Sequence, residues 1–304
     1  MELNIGFSNS FFEEEVRCEY LVSKKLKKVW AVEIDLMAEL LRICNKYDIT
    51  VYAFAGTLLG AIRHKGFIPW DDDIDVCMLR DDYEKLLKVE ANEFKHPYFF
   101  QTALSDRRFF CEYARLRNSE TTGLISYNNS ADYNNGIYID IFVLDGYVQD
   151  KKKLKLQLMH RKLVTVMLNS YYHKRGQYAG IKKYAMWAVQ KVVKMLFTYE
   201  ELVKRYNKVI SKYTNNSLQV SLMTHSIDFI EKYWCSIEDL SEIEYMPFEN
   251  IKVPVPSGYD VILKHMYGNY MEFPPIEKRG IWHNEVLFLE PDLPYKEYIK
   301  NGLL

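Results

Sequence analysis

Residues 69–79 read PWDDDIDVCML, four carboxylates within five positions running directly into an apolar stretch. As a strand, this segment places Ile74, Val76 and Met78 on one face and Asp73, Asp75 and Cys77 on the other. Asp73 and Asp75 then lie about 6–7 Å apart along the chain, with Asp71 on the same side if the strand begins early. Like charges at that separation repel and raise each other's pKa unless a cation lies between them. A solvated acidic turn is one solution, but the apolar set 74, 76 and 78 draws the strand into a core. An EF-hand loop is a second, since Asp71, Asp73, Asp75 and Asp82 stand at ligand positions one, three, five and twelve; the sixth position, which needs Gly, is β-branched Val76. The third is a Mg²⁺ or Mn²⁺ site that holds substrate phosphates against the carboxylates.

That third solution requires another acid from a neighbouring strand. The segment YIDIF supplies Asp140, flanked by Ile139 and Ile141 so that its carboxylate faces away from its apolar neighbours. Upstream, DITVYAFA reads as a strand, and Gly56-Thr57 opens a short helical run, LLGAIRHK, that Gly66 would stop. Helix-opening amides and the Thr57 hydroxyl in such a turn are placed to receive a phosphate. Ahead of this unit, Ser10 and Glu13 suggest a capping box for a long helix whose apolar stripe is Leu26, Trp30, Ile34, Met37, Leu41 and Cys44. Beyond it, Asp81 and Glu84 suggest a helix cap. PYFFQT, FCEYARLRN and GIYIDIFVLDG read as strands, and residues 151 to about 213 as helices broken near Gly176 and Gly180. A hairpin around Glu249-Asn250, a strand IKVPVPSG, a helix YDVILKHMYG and an irregular end follow.

These motifs carry a resemblance. Gly56-Thr57, Asp73-Ile74-Asp75-Val76 and Ile139-Asp140-Ile141 together are similar to the nucleotidyltransferase superfold typified by DNA polymerase beta. FAGTLLGAIRHKGFIPWDDDIDV, GIYIDIFVLDG and PSGYDVILKHMYGNYMEFPPIEKR resemble the LicD family of phosphocholine transferases, distant kin of the fukutin-related proteins. The resemblance implies an α/β (α+β) fold: a mixed sheet flanked by helices, with an added helical region. It implies a catalytic core at 1–150, and a basic helical region with a C-terminal segment packing back on it at 151–304. The implied reaction moves phosphocholine, or a related alcohol phosphate, from CDP-choline or another CDP-alcohol to a hydroxyl of a surface glycan or its lipid-linked precursor, releasing CMP. Asp73, Asp75 and Asp140 would hold Mg²⁺ or Mn²⁺, with Asp140 near the attacking hydroxyl as candidate base and Asp71 as supporting acid. Gly56, Thr57, Arg63, Arg117, Lys278, Arg279 and His283 would contact donor phosphates or nucleotide. For Arg115 and Arg117, which share a strand face, a surface ladder is the plainer alternative. A D-x-D glycosyltransferase using a UDP-sugar and a non-catalytic Ca²⁺- or carbohydrate-binding protein are the competing classes.

At 304 residues the chain can bury a full core, and a 27% charged fraction belongs to a folded soluble protein rather than a disordered one. Five widely spaced cysteines without a C-x-x-C pair argue against a disulfide framework or zinc site. With no leader-like N-terminus and no window approaching about 18 apolar residues, a cytoplasmic protein is expected. Net charge is −1, yet residues 151–194 hold twelve Lys and Arg and no Asp or Glu, leaving −13 on the remainder. Ala185, Met186, Val189, Val193 and Leu196 interleave with these cations, a pattern suited to peripheral contact with an anionic membrane. Nucleic acid is not the expected partner, because the overall charge is slightly negative and no recognised binding motif is present.

Overall fold

The computed structural model describes residues 3–107, 110–125, 133–172, 181–280 and 286–301. A short hairpin, β1 (Glu15–Arg17) and β2 (Tyr20–Val22), precedes the long helix α1 (Lys24–Lys46). The cap of α1 is Ser23, whose side chain accepts from the Leu26 amide; Ser10 lies in a separate 3-10 turn, because the hairpin intervenes. Residues 29–37 of α1 are all buried, so the helix runs through the protein as a spine.

The sheet is assembled around one strand. β3 (Tyr52–Ala53) leads into α2 (Ala55–Arg63), then β4 (Asp75–Leu79), α3 (Arg80–Glu93), β5 (Tyr98–Gln101), β6 (Ala114–Asn118), β7 (Thr122–Ile125) and β8 (Ile137–Gly146). β8 pairs parallel with β4 and antiparallel with β6; β3 extends the sheet beyond β4, and β5 beyond β6. The cap of α3 is Leu79, with no side-chain hydrogen bond; Asp81 and Asp82 lie in its first turn, where they favour the helix dipole instead.

Three helices follow: α4 (Lys151–Tyr171), α5 (Ile181–Leu196) and α6 (Tyr199–Ile210). Asp150 caps α4, and a complete capping box between Thr198 and Glu201 starts α6. β9 (Gln219–Ser221) returns to pair with the end of β8, followed by α7 (Ile227–Lys232) and β10 (Cys235–Ser236), which pairs with β9. The hairpin expected at Glu249-Asn250 is formed by β11 (Ile243–Phe248) and β12 (Ile251–Pro256), and α8 (Tyr259–Tyr267) follows it. β13 (Val286–Glu290) pairs antiparallel with β7, and α9 (Tyr295–Lys300) closes the described chain.

Buried side chains form two clusters. One joins α1, α2 and the sheet to Val253 and Val255 of β12 and Ile262, Leu263 and Met266 of α8. The other is built from Leu154, Val164 and Leu168 of α4 with Leu202, Tyr206 and Ile210 of α6. Between sheet and helices a buried ion pair locks β8 to α3: Arg80 Nε donates to Asp145 Oδ1 at 2.9 Å. No helix among the described residues is long and apolar enough to cross a membrane.

Candidate active site

The parallel register of β4 and β8 makes Asp75 and Asp140 direct partners. Parallel neighbours in register face the same side of the sheet, about 4.8 Å apart, so two acids 65 positions apart in sequence share one patch of surface. Their apolar neighbours Ile74, Val76, Ile139 and Ile141 are completely buried. Burial raises the Asp75 carboxyl well above its ordinary value, and the charges of Asp140 and Asp71 push it further, while Arg115 opposes them.

Asp73 precedes the strand and stays open to solvent on one side. Its carboxyl is nonetheless raised well above the usual range, first by desolvation from the surrounding protein and then by Asp75, Asp71, Asp72 and Glu33. Asp71, Asp72 and Asp73 each offer a ligand oxygen, and these atoms lie within 4.8 Å of one another. Asp72 was not among the acids singled out from sequence, because a regular strand would turn it to the opposite face; the chain is not yet a strand at that point.

The Gly-Thr turn meets this acidic loop directly. A Cβ at Gly56 would stand 2.8 Å from Asp71 Oδ2, so a side chain there would displace the Asp71 carboxylate. Thr57 is buried, and its Oγ1 accepts from the Asp75 amide at 2.8 Å, pinning the start of β4 to α2. The hydroxyl's own hydrogen remains a donor for a ligand. Ala55, the first residue of α2, has φ of 44°, a left-handed conformation that costs a non-glycine residue about 1–2 kcal/mol and concentrates at functional sites.

Arg115 and Arg117 are not a surface ladder. Both are essentially fully buried on β6 and stack on Tyr138 at 4.2 and 4.6 Å. Arg115 Nε donates to Asp140 Oδ1 at 2.6 Å, which fixes the orientation of that carboxylate. Arg117 donates instead to Gln101 Oε1 and to the Gly136 carbonyl. Arg63 donates to the carbonyls of Tyr270 and Glu272 and thereby holds the segment after α8 against α2. Arg279 stacks on Trp70 at 4.7 Å and donates to the Cys18 carbonyl at 2.6 Å, next to the acidic loop. Lys278 is exposed on the same turn, and His283 lies outside the described residues.

Sequence reasoning missed three further contributors. Glu33 of α1 is 2% exposed, its Oε2 has no hydrogen-bond partner among the described residues, and burial together with Asp72, Asp71, Asp75 and Asp140 raises its carboxyl well above the ordinary value. Its helix is tied to the loop one turn earlier, where Trp30 Nε1 donates to the Asp71 carbonyl at 2.9 Å. The available signal was a lone acid inside the apolar stripe of a long helix. Tyr233 and Tyr267 also feel Asp75, and burial raises the hydroxyls of both; nothing local in the sequence marks them. A separate cavity of about 670 Å³ between β5 and α9, lined by Phe94, Tyr98, Asp106, Tyr133 and Tyr295, contains none of these acids.

The mixed sheet thus carries acids on adjoining strands, with a glycine turn beside them. A family profile described as the LicD/FKTN/FKRP nucleotidyltransferase domain matches residues 48–174, a span containing Gly56, Thr57, the acidic loop and Asp140. The chain is 28% identical over 258 residues to the lipopolysaccharide cholinephosphotransferase LicD of Haemophilus influenzae, covering 81% of this chain and 91% of that protein. Shorter matches are to uncharacterized proteins of Rickettsia prowazekii, 32% over 77 residues (25% of this chain, 27% of that one), and Rickettsia typhi, 43% over 48 residues (16% of each). The LicD-family match thus covers the acid-bearing part of the chain, and the similarity to the Haemophilus LicD protein extends over most of its length.

Proposed function

We propose that this protein transfers phosphocholine, or a closely related alcohol phosphate, from a CDP-alcohol to a hydroxyl of a lipopolysaccharide-type glycan, releasing CMP. The relative that spans most of the chain is named for lipopolysaccharide cholinephosphate transfer. The observation that carries the reading is the register pairing of Asp75 with Asp140 beside the Asp71–Asp73 trio, an arrangement in which burial and neighbouring acids raise the carboxyls of Asp73 and Asp75.

The acid set fits a Mg²⁺ or Mn²⁺ ion: the ligand oxygens of Asp71, Asp72 and Asp73 converge within 4.8 Å, Asp75 and Asp140 stand on the adjoining strands, and the buried Glu33 Oε2 has no hydrogen-bond partner among the described residues. Asp73, Asp75 and Asp140 would hold the ion, with Asp71 and Asp72 in support. Such an ion, when bound, neutralises charge on the donor phosphates and polarises the transferred phosphoryl group.

The chain's own residues do the rest. The acceptor oxygen forms a bond to the phosphorus of the transferred group while the bond from that phosphorus to the CMP oxygen breaks. The proton of the acceptor hydroxyl passes to Asp140, whose carboxylate Arg115 orients. Gly56 lets the donor phosphates approach the backbone, and Arg279, stacked on Trp70, supplies positive charge at the rim. Catalysis is then mainly positioning and electrostatic stabilisation.

The test is to incubate the protein with Mn²⁺ or Mg²⁺, a lipopolysaccharide acceptor, and a panel of CDP-alcohols and UDP-sugars, following nucleotide release. CMP from a CDP-alcohol, dependent on acceptor, supports the reading. UDP alone would make the protein a glycosyltransferase, and an Asp73→Ala variant that loses Ca²⁺-dependent stability without any turnover to lose would make it a binding protein.

A further inference from the structure

α4 and α5 each expose apolar side chains that the core does not take up. α4 directs Leu154, Val164 and Leu168 inward, which accounts for its attachment to α6. On its opposite side Leu156, Met159, Leu163 and Val166 recur at steps of three and four and are all exposed, Met159 at 59% and Leu163 at 55%. That spacing makes one stripe along a helix about 31 Å long. α5 packs beside it: Gln190 Nε2 donates to the Tyr171 carbonyl, and Lys194 sits over the Tyr171 ring at 5.1 Å. Val193 of α5 is buried, contrary to the membrane-facing role expected from sequence, whereas Trp187, Val192 and Met195 are exposed, Met195 at 77%.

An amphipathic helix with one apolar stripe needs one partner; a second, outward stripe calls for another. The charges say what kind. Lys152, Lys155, Lys162, Lys191 and Lys194 are exposed along the same two helices, and the segment contains no acid. A symmetric contact between two copies would oppose like patches and so set these cations against one another. A nucleic acid would satisfy the lysines but not the methionines. A bilayer bearing anionic headgroups satisfies both, since lysine stems cover apolar surface while their ammonium groups reach phosphate, and tryptophan favours the interface.

We propose that the outward faces of α4 and α5 form a docking surface for an anionic lipid bilayer, on which the helices lie flat without crossing it. The proposal stands apart from the catalytic reading, because binding is measured without turnover.

The experiment uses the full chain in co-sedimentation with vesicles of phosphatidylcholine alone or mixed with phosphatidylglycerol. Binding at least about tenfold tighter to the mixed vesicles, weakening as salt rises, is expected. Met159→Glu with Leu163→Glu, and separately Lys191→Glu with Lys194→Glu, should each weaken it about tenfold or more while the thermal midpoint stays at the wild-type value. Equal binding to both vesicle types, binding to neither, or binding unchanged in folded variants would each overturn the proposal. So would a wild-type dimer in light scattering that the Met159/Leu163 variant converts to monomer, since the stripe would then belong to a second copy.

Discussion

Replacing Asp75 with Asn should stabilise the metal-free protein while abolishing its chemistry. Asp75 and Asp140 are register partners on strands about 4.8 Å apart, and two unit charges at that distance in a protein environment of effective dielectric about 20 repel by about 3 kcal/mol. Arg115 offsets part of this by pairing with Asp140, leaving about 1–2 kcal/mol to be gained. Because the folded-state pKa of Asp75 lies above the unfolded value of 3.8, the folded protein binds the extra proton, and wild-type stability declines as pH rises from 3.8 through the folded pKa. The amide removes that decline, so the gain is present at neutral pH and vanishes in acid. The Thr57 bond to the residue 75 amide is untouched by the change. In EDTA at pH 7.5 (about neutral, above the unfolded carboxylate range) calorimetry should show a midpoint roughly 2–6 °C above wild type. Added Mn²⁺ should raise the wild-type midpoint and leave the variant where it is, and CMP release should fall about a hundredfold or more. A variant that melts below wild type without metal, or that retains the Mn²⁺-induced rise, would show that these acids are not a repelling set held in readiness for a cation.

Three other outcomes follow from the same geometry. Glu33→Gln keeps the volume of a buried carboxyl with a partnerless oxygen and should weaken Mn²⁺ binding by about tenfold to a hundredfold in calorimetric titration with the fold intact; unchanged affinity would confine Glu33 to packing. Asp145→Asn leaves buried Arg80 with only the exposed Glu84, 3.8 Å away, as a counter-ion and should cost about 3–5 kcal/mol in urea unfolding, most of it recovered in the double variant with Arg80→Met; a loss of under about 1 kcal/mol would mean the pair contributes little. Burial, then Arg161, hold His225 down at about 4 from an ordinary 6.5, so the unfolded chain takes up the proton first and stability is lost as pH falls from 6.5 to 4. That loss should be about 2–3 kcal/mol and should flatten in His225→Phe, which preserves stacking on Tyr113; parallel pH profiles for the two proteins would count against it.

What could be read from the sequence was whatever a local period encodes. The alternation at 75–78 and 139–141 located the strands that carry Asp75 and Asp140, whereas Asp73, expected on the first of them, lies just before it begins; the Glu249-Asn250 turn was plain from its flanks. Ser10 was mistaken for the cap of α1 because two three-residue strands are too short to announce themselves, and the true cap, Ser23, lacks the Glu partner that made Ser10 conspicuous. The burial of Arg117 depends on β5 and Tyr138 meeting it from both sides, and the β7–β13 pairing joins segments some 160 residues apart; no window contains either fact. Asp72 and Glu33 escaped for a related reason: one lies just before a strand begins, the other belongs to a helix whose contact with the acidic loop exists only in three dimensions.

The β4–β8 alignment has a consequence for how the chain tolerates insertions. Fifty-seven positions separate Leu79 from Ile137, and extra residues in the surface loops there leave the meeting of Asp75 and Asp140 unchanged. A single added residue between 137 and 140 would instead slide the strand by one step and turn the aspartate into the apolar layer beneath. A library of one-residue insertions should therefore show a sharp silent gap over those few positions, bordered by permissive loops.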